Sequence, residues 1–279
     1  MRSISPLRYP GGKTKVYNRV VELLKKNNRL NTTYIEPFAG GCGLGLLLLK
    51  NKIVDCLILN DIDKSIYSFW KAVLKYNDEL CELIKDSEIS LEERKKQKKI
   101  QDNKNKIDLR RKKDVLSLGF STFFLNRVNR SGIIKAGVIG GKEQSGDYKM
   151  DCRFNKKQLI KQIEEIKSYK EKIIFFNLDA IKFIKKVKGI ENSFIFFDPP
   201  YYEKGKELYI NFYEHEDHKK LANNIFDLKN DWIVTYDNVI PIREMYSDYQ
   251  QDEFEISYTL QEKKRAKEIM IFSNNLKNI

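Results

Sequence analysis

The sequence predicts an α/β fold, with one largely parallel sheet interrupted by an insertion of helices and loops. Three observations carry that prediction. Short uninterrupted apolar runs such as "CLILND" (56–61) and "SFIFFD" (193–198) end on an acid, and read as strands buried on both faces. Helical stretches stand between such runs. The alternation stops near residue 86 and resumes near residue 172, which divides the chain into 1–85, an insertion over 86–171, and 172–279.

In chain order, "TYIEPF" (Thr33–Phe38) is a strand, "GLGLLLLKN" (43–51) starts a helix, and "DCLILND" (Asp55–Asp61) is a second strand. Together they make a βαβ unit. An amphipathic helix is expected from Lys64 to Lys85. "LEERKKQKKIQDNKNKIDLRRKKD" (91–114) is densely charged and reads as a solvated helix face. Residues 115–149 mix aromatics, asparagines, basic residues and glycines without a clean period, which predicts loop-rich structure of the kind that carries recognition. Strands return at "KIIFFN" (Lys172–Asn177), "SFIFFD" and "DWIVTYDN" (Asp231–Asn238). "EFEISYTL" (253–260) and "KEIMIFSNN" (267–275) read as a closing antiparallel pair.

Fifty-two Lys and Arg stand against 39 Asp and Glu, and the surplus of +13 favours a polyanionic partner, because phosphate contacts release counterions. No run of about 18 apolar residues is present, so no membrane span is expected. The N-terminus lacks the apolar centre of a secretory signal. Cys42, Cys56, Cys81 and Cys152 are scattered without a CxxC pair and read as reduced thiols in a cytosolic protein.

"EPFAGGCGLG" (36–45) places glycines between a strand and a helix, where backbone can approach a ligand closely. Asp61 ends the next strand at the spacing from which a carboxylate reaches a ribose diol. Turn, spacing and acid together point to an adenosine-containing cofactor. Glu36, ending the first strand, would repel a pyrophosphate but suits an ammonium group, which favours S-adenosylmethionine (SAM) over NAD. "PGGKTK" does not make a phosphate-binding loop: the pattern needs a glycine where Leu7 stands, and no strand precedes it.

"DPPY" (198–201) directly follows an apolar strand. An exocyclic amine on a base is a poor nucleophile because its lone pair is delocalised into the ring. Asp198 and the carbonyl of Pro199 could accept both amine hydrogens and so favour a pyramidal nitrogen. Pro199 and Pro200 fix φ near −65° and hold that carbonyl rigidly. Tyr201 offers a flat face for a base taken out of its stack. His215 and His218 have no evident third ligand, so no metal is expected.

In this order, "RYPGGK", "EPFAGGCG", "LILNDID", "FLNR…SG" and "DPPY" resemble the Dam-like (D12 class) DNA adenine-N6 methyltransferases over nearly the whole chain. The resemblance implies a Rossmann-like SAM-dependent methyltransferase sheet with an inserted, mainly helical and loop target-recognition domain. It implies direct methyl transfer to N6 of a flipped adenine in double-stranded DNA, with Asp198, Pro199, Pro200 and Tyr201 catalytic. Cofactor contacts would come from Tyr9, where the family usually has tryptophan, and from Lys13, Glu36, Phe38 and Gly40. Asp61 would take the ribose, Asp179 the cofactor adenine amine, and Asp198 would touch both cofactor and target.

DNA contacts would come from Asn126, Arg127, Arg130, Ser131 and Lys135. In the GATC-reading members the segment after Asn-Arg resembles Y-N-G-L-C-R. Here Arg130 replaces the intercalating aromatic and Lys135 the base-reading arginine, so adenine is supported as the target and GATC as the site is not. A monomer located in the cytoplasm, on the nucleoid and away from membranes is expected. A cognate restriction endonuclease is a partner only if the role is restriction–modification, which is left open beside phage defence and regulation. The alternatives are an RNA or protein amine methyltransferase and a DNA-binding relative without catalysis.

Overall fold

A computed structural model of the chain describes residues 4–9, 12–203, 213–259 and 263–277. Its strands are β1 (Thr32–Glu36), β2 (Val54–Asn60), β3 (Ile173–Phe176), β4 (Ser193–Phe197), β5 (Asp231–Asp237), β6 (Gln250–Thr259) and β7 (Lys263–Phe272). They form one seven-stranded sheet in the order β3-β2-β1-β4-β5-β7-β6. The first five are parallel, and β7 runs antiparallel to both β5 and β6. This is the layout of a Rossmann-like methyltransferase sheet. Its strand order reverses between β1 and β4, and in such sheets ligands bind beyond the carboxyl ends of the strands at that point.

The continuous apolar runs are explained by burial on both sides. Phe194 and Phe196 enter one core with Leu57, Leu59, Ile233 and Phe272, while Ile195 and Phe197 enter the other with Ile35, Val234, Tyr236 and Ile269. Helices α1 (Tyr17–Lys26), α2 (Gly43–Lys50) and α3 (Lys64–Lys75) supply the first core. The second is closed by α8 (Ala180–Val187), α9 (His215–Phe226) and α10 (Ile240–Met245).

The expected helix from Lys64 to Lys85 is two helices, α3 and α4 (Asn77–Asp86). At the break the buried amide of Asn77 donates to the Val73 carbonyl of α3 (2.9 Å) and to Ile163 of α7 (Lys156–Lys167) (3.2 Å). Residues 91–102 form α5 (Leu91–Asp102), largely exposed as expected.

The expectation of loop-rich structure over residues 115–149 holds from residue 129 onward and is corrected before it. Lys112 to Val128 is a seventeen-residue helix, α6, buried from Leu118 to Asn126. A helix wrapped on all sides has no polar face and therefore no period to read. Gly119 lets α6 press on α3, since a Cβ there would lie 2.7 Å from the Ser68 carbonyl oxygen. The rings of Phe69 and Phe123 stack across this contact at 6.0 Å. Val115, Phe120, Phe123, Ile163 and Ile166 share the first core with the sheet, so the inserted segment is continuous with it.

Candidate active site

Asp198 follows β4 and Glu36 ends β1, so the two acids flank the switch point of the sheet. The Asp198 carboxylate is partly exposed, and one oxygen, Oδ1, is held twice: by the Thr235 hydroxyl (3.0 Å) and by the Lys13 ammonium (2.9 Å). Lys13 is buried, donates to the Tyr201 hydroxyl (2.7 Å) and lies 5.0 Å from the centre of its ring. Tyr201 is itself buried, so its ring is not an open platform in this state. Pro199 is buried and Pro200 half-buried beside it.

Burial pushes the Glu36 carboxyl up to about 8, against hydrogen bonds that favour ionisation and with the nearby Asp198 charge adding to the rise. No lysine or arginine pairs with Glu36 among the described residues. A Cβ on Gly45 would come within 3.3 Å of its Oε1, so the glycine keeps this space open. Gly40 adopts φ +46°, and a Cβ there would strike the Tyr9 ring at 2.7 Å, which places Tyr9 flat against the turn. The Trp70 indole fixes the same turn by donating to the Gly40 carbonyl (2.9 Å).

Asp61 ends its strand as expected, with Oδ2 accepting from the Gly40 amide (3.0 Å) and Oδ1 from the Asp63 amide (2.9 Å). Burial raises it to about 7. Each oxygen keeps a lone pair for a further donor. Asp179 caps α8 through Oδ1, which accepts from Ile181 (3.0 Å) and Lys182 (3.3 Å). Phe38 lies half-buried against Tyr213, edge to face at 6.2 Å. Tyr213 is pushed up by burial and then by the Asp179 charge, so these three side chains face one region. The observed residues thus fit SAM: an unpaired buried carboxyl for its ammonium, a glycine cradle, and acids at the ends of β2 and β3.

Sequence reasoning missed the groups that hold this frame. Asp237 accepts from the Tyr202 and Glu203 amides (both 2.9 Å), clamping the loop after "DPPY" to the end of β5. Asn60 donates to Pro37 and Leu178 (both 3.0 Å) and accepts from the Leu178 amide (2.9 Å), tying together the loops after β1 and β3. Buried polar residues at strand ends were the available signal. His215 pairs with the Tyr202 hydroxyl (2.9 Å), and buried His218, pushed down to about 4 by burial, pairs with the Tyr236 hydroxyl (2.9 Å). Among the described residues no group of three His, Cys, Asp or Glu side chains could hold a metal ion.

The recognition segment departs further from expectation. Asn126 is not available to a base: it is buried, its amide donates to the carbonyls of Arg8 and Gly132 (both 2.7 Å), and its oxygen accepts from the Arg8 amide (2.7 Å). Ser131 sits at φ 56° in the tight turn beside Arg8. Arg130 and Lys135 are exposed. Arg127 is lowered to about 10 by burial and then by the charges of Arg8 and Arg153, and no acid pairs with these three arginines among the described residues. Arg8 and Arg153 were not singled out from the sequence. Arg94, expected to face phosphate or solvent, instead donates to the Asn129 side chain (2.8 Å) and the Ala136 carbonyl (3.0 Å), bracing the loop that carries Lys135.

Residues 9–265 match the D12 class N6 adenine-specific DNA methyltransferases, and the chain belongs to that family. It is 29% identical over 175 residues to the type II methyltransferase M.MjaIII of Methanocaldococcus jannaschii, a match that covers 59% of each chain. Among solved structures it overlaps the candidate RNA methyltransferase PH1948 of Pyrococcus horikoshii (TM-score 0.45, 10% identity, 98% and 89% of the two chains). It also overlaps the candidate methyltransferase yhhF of Escherichia coli (TM-score 0.39, 12% identity, 96% and 91%).

Proposed function

We propose that the chain methylates N6 of a flipped adenine in double-stranded DNA, with SAM as the methyl donor. The observation that carries this reading is the placement of Asp198-Pro199-Pro200-Tyr201 beyond β4, across the switch point from the buried Glu36. SAM, when bound, supplies a methyl group on a positively charged sulfur. Glu36 would hold its ammonium, Asp61 its ribose and Asp179 its adenine amine, with Tyr9, Phe38 and Gly40 enclosing it and Lys13 beside it. Asp198 and the Pro199 carbonyl would accept the hydrogens of the target amine and turn its lone pair toward the methyl group. The nitrogen would gain the methyl as its bond to sulfur breaks and a neutral thioether is left, and would pass one proton by way of the Asp198 carboxylate to solvent. Tyr201 becomes a stacking face once its ring parts from Lys13.

DNA would lie along the positive cluster of exposed Arg153 and half-buried Arg8 and Arg127, whose charge suits phosphate contacts. Arg130 and Lys135, both exposed, would reach base edges, and Ser131 would shape their turn. Residues 86–171 would be the target-recognition unit. A restriction–modification role, with a partner endonuclease, follows the type II relative and is part of this proposal.

Incubation with SAM labelled in its methyl group and with duplex DNA, RNA or no nucleic acid separates the alternatives. Label is expected in duplex DNA. Label in RNA, or in protein when no nucleic acid is present, would establish a rival reading, and the absence of label in every arm would indicate a non-catalytic relative.

A further inference from the structure

Lys13 has one more neighbour than the proposed chemistry uses. Its ammonium lies 2.7 Å from the Tyr201 hydroxyl and 2.9 Å from Asp198 Oδ1, and it is also 3.7 Å from Oε2 of Glu268. Glu268 is fully buried in β7, opposite Asp237 of β5. It belongs to none of the motifs that marked the site in the sequence. A carboxylate buried beside a buried lysine carries a desolvation cost, so a position that keeps one calls for a physical reason.

The competition at Asp198 supplies the reason. Oδ1 already receives the Lys13 ammonium and the Thr235 hydroxyl, and a carboxylate neutralised by an ammonium is a weak acceptor for a third donor. The same ammonium bonds the Tyr201 hydroxyl and so holds that ring in its buried place. In this state Lys13 therefore neutralises the carboxylate that a target amine would use and bonds the hydroxyl of the ring on which a base would stack.

We infer that Glu268 is a positioning residue for methyl transfer: the carboxylate to which the Lys13 ammonium withdraws when the target amine takes its place on Asp198. The inference rests on the reading of Asp198 and Tyr201 as the target-amine site. The 3.7 Å separation leaves room for the ion pair to close, and rotation about the last bonds of the lysine side chain is enough to close it. One movement then takes the ammonium away from Asp198 and Tyr201 together. Closing the pair also offsets the lysine charge in a low-dielectric site, where an uncompensated ammonium would oppose the positive charge growing on the target nitrogen.

The test is a cycle of Glu268→Gln, Lys13→Met and the double variant in the full chain. The substrate is a duplex containing the site the wild type methylates, with 2-aminopurine beside the target adenine to report its departure from the stack. Single-turnover methylation and the fluorescence rise are measured together, and SAM affinity is followed by calorimetry. Glu268→Gln is expected to lower both DNA readouts by about fivefold or more, while SAM affinity stays within about twofold. On the Lys13→Met background the same substitution should change neither readout by more than about twofold, because no ammonium remains to be moved.

Equal losses on both backgrounds would make Glu268 a structural residue and overturn the inference, as would a Glu268→Gln enzyme with the wild-type rate. If Glu268→Gln does not fold, Glu268→Asp decides: its carboxylate keeps the charge but falls short of Lys13, so both DNA readouts should drop by about twofold or more with SAM affinity unchanged, and wild-type readouts overturn the inference. A wild-type chain that methylates no adenine in duplex DNA would refute the underlying reading of the site. A methylating wild type without coupling between the two positions would refute this inference alone.

Discussion

At the scale of single residues the decisive one is Glu36. Its position at a strand end was legible in the sequence. Its protonation was not, because that depends on burial by Tyr34, Cys42 and the first turn of α2, which only the folded chain assembles. Burial pushes it to about 8, so near pH 7 it holds a proton until a cation arrives. SAM binding at pH 7 is therefore expected to release close to one proton, a linkage measurable by calorimetry in buffers of different ionisation heat. Glu36→Gln should abolish that release and weaken binding.

The stability consequence has a definite sign. The folded value near 8 lies above the ordinary 4.5, so between those two pH values the unfolded chain binds fewer protons and the ligand-free fold loses stability as pH rises. The Tm of Glu36→Gln relative to wild type should accordingly increase from pH 5 to pH 8. A constant difference across that window would show that Glu36 is not buried and neutral. Asn126 illustrates the opposite error. In sequence it stands in the "FLNR" landmark of the resemblance, and only the fold shows that its amide is already committed to the Arg8 and Gly132 backbone.

At the scale of elements, strands were legible and α6 was not. Each strand of the parallel set was marked by an apolar run and a terminal acid or amide. The signal for α6 was erased by its own burial, and its glycine read as a loop residue although it serves a close helix contact. Helix α5 shows a related limit. Its charged sequence hides an inward polar stripe in which Arg94 braces the loop from Asn129 to Ala136 and Gln101 donates to Ser121 (3.2 Å) and Thr122 (3.0 Å) of α6. Arg94→Ala is expected to loosen residues 129–136 and relax base discrimination by about 1–3 kcal/mol at one position of the site. Methylation of a randomised duplex library checks this, and an unchanged motif with only weaker general binding would return Arg94 to the phosphate role.

At the scale of the whole molecule, the sheet with its antiparallel closing pair and the basic surplus were both read correctly, because they follow from pattern and composition. The sharing of one core between the sheet and the insertion was not legible, since it depends on contacts between segments far apart in sequence. Charge acts at this scale too. Lys95 and Lys96 project from α5 into solvent, and among the described residues Lys96 pairs only with Glu93 of its own helix. Replacing both with neutral residues should lower DNA affinity and reduce the salt slope by up to about 2, the value for two phosphate contacts, without altering the methylated motif. A changed motif would place these lysines among the base readers.

The central claim is that Asp198, at the head of the sheet, activates an adenine amine for methyl transfer. It is tested most directly by quantifying N6-methyladenine, by nucleoside mass spectrometry, in duplex DNA incubated with SAM and either the wild type or Asp198→Ala. Circular dichroism establishes that both chains are folded. The wild type should form N6-methyladenine, and the variant should form it at least about 100-fold more slowly, the usual cost of removing a preorganised hydrogen-bonding group from a catalytic site. A folded Asp198→Ala enzyme that keeps more than about a tenth of the wild-type rate, against that 100-fold expectation, would contradict the account.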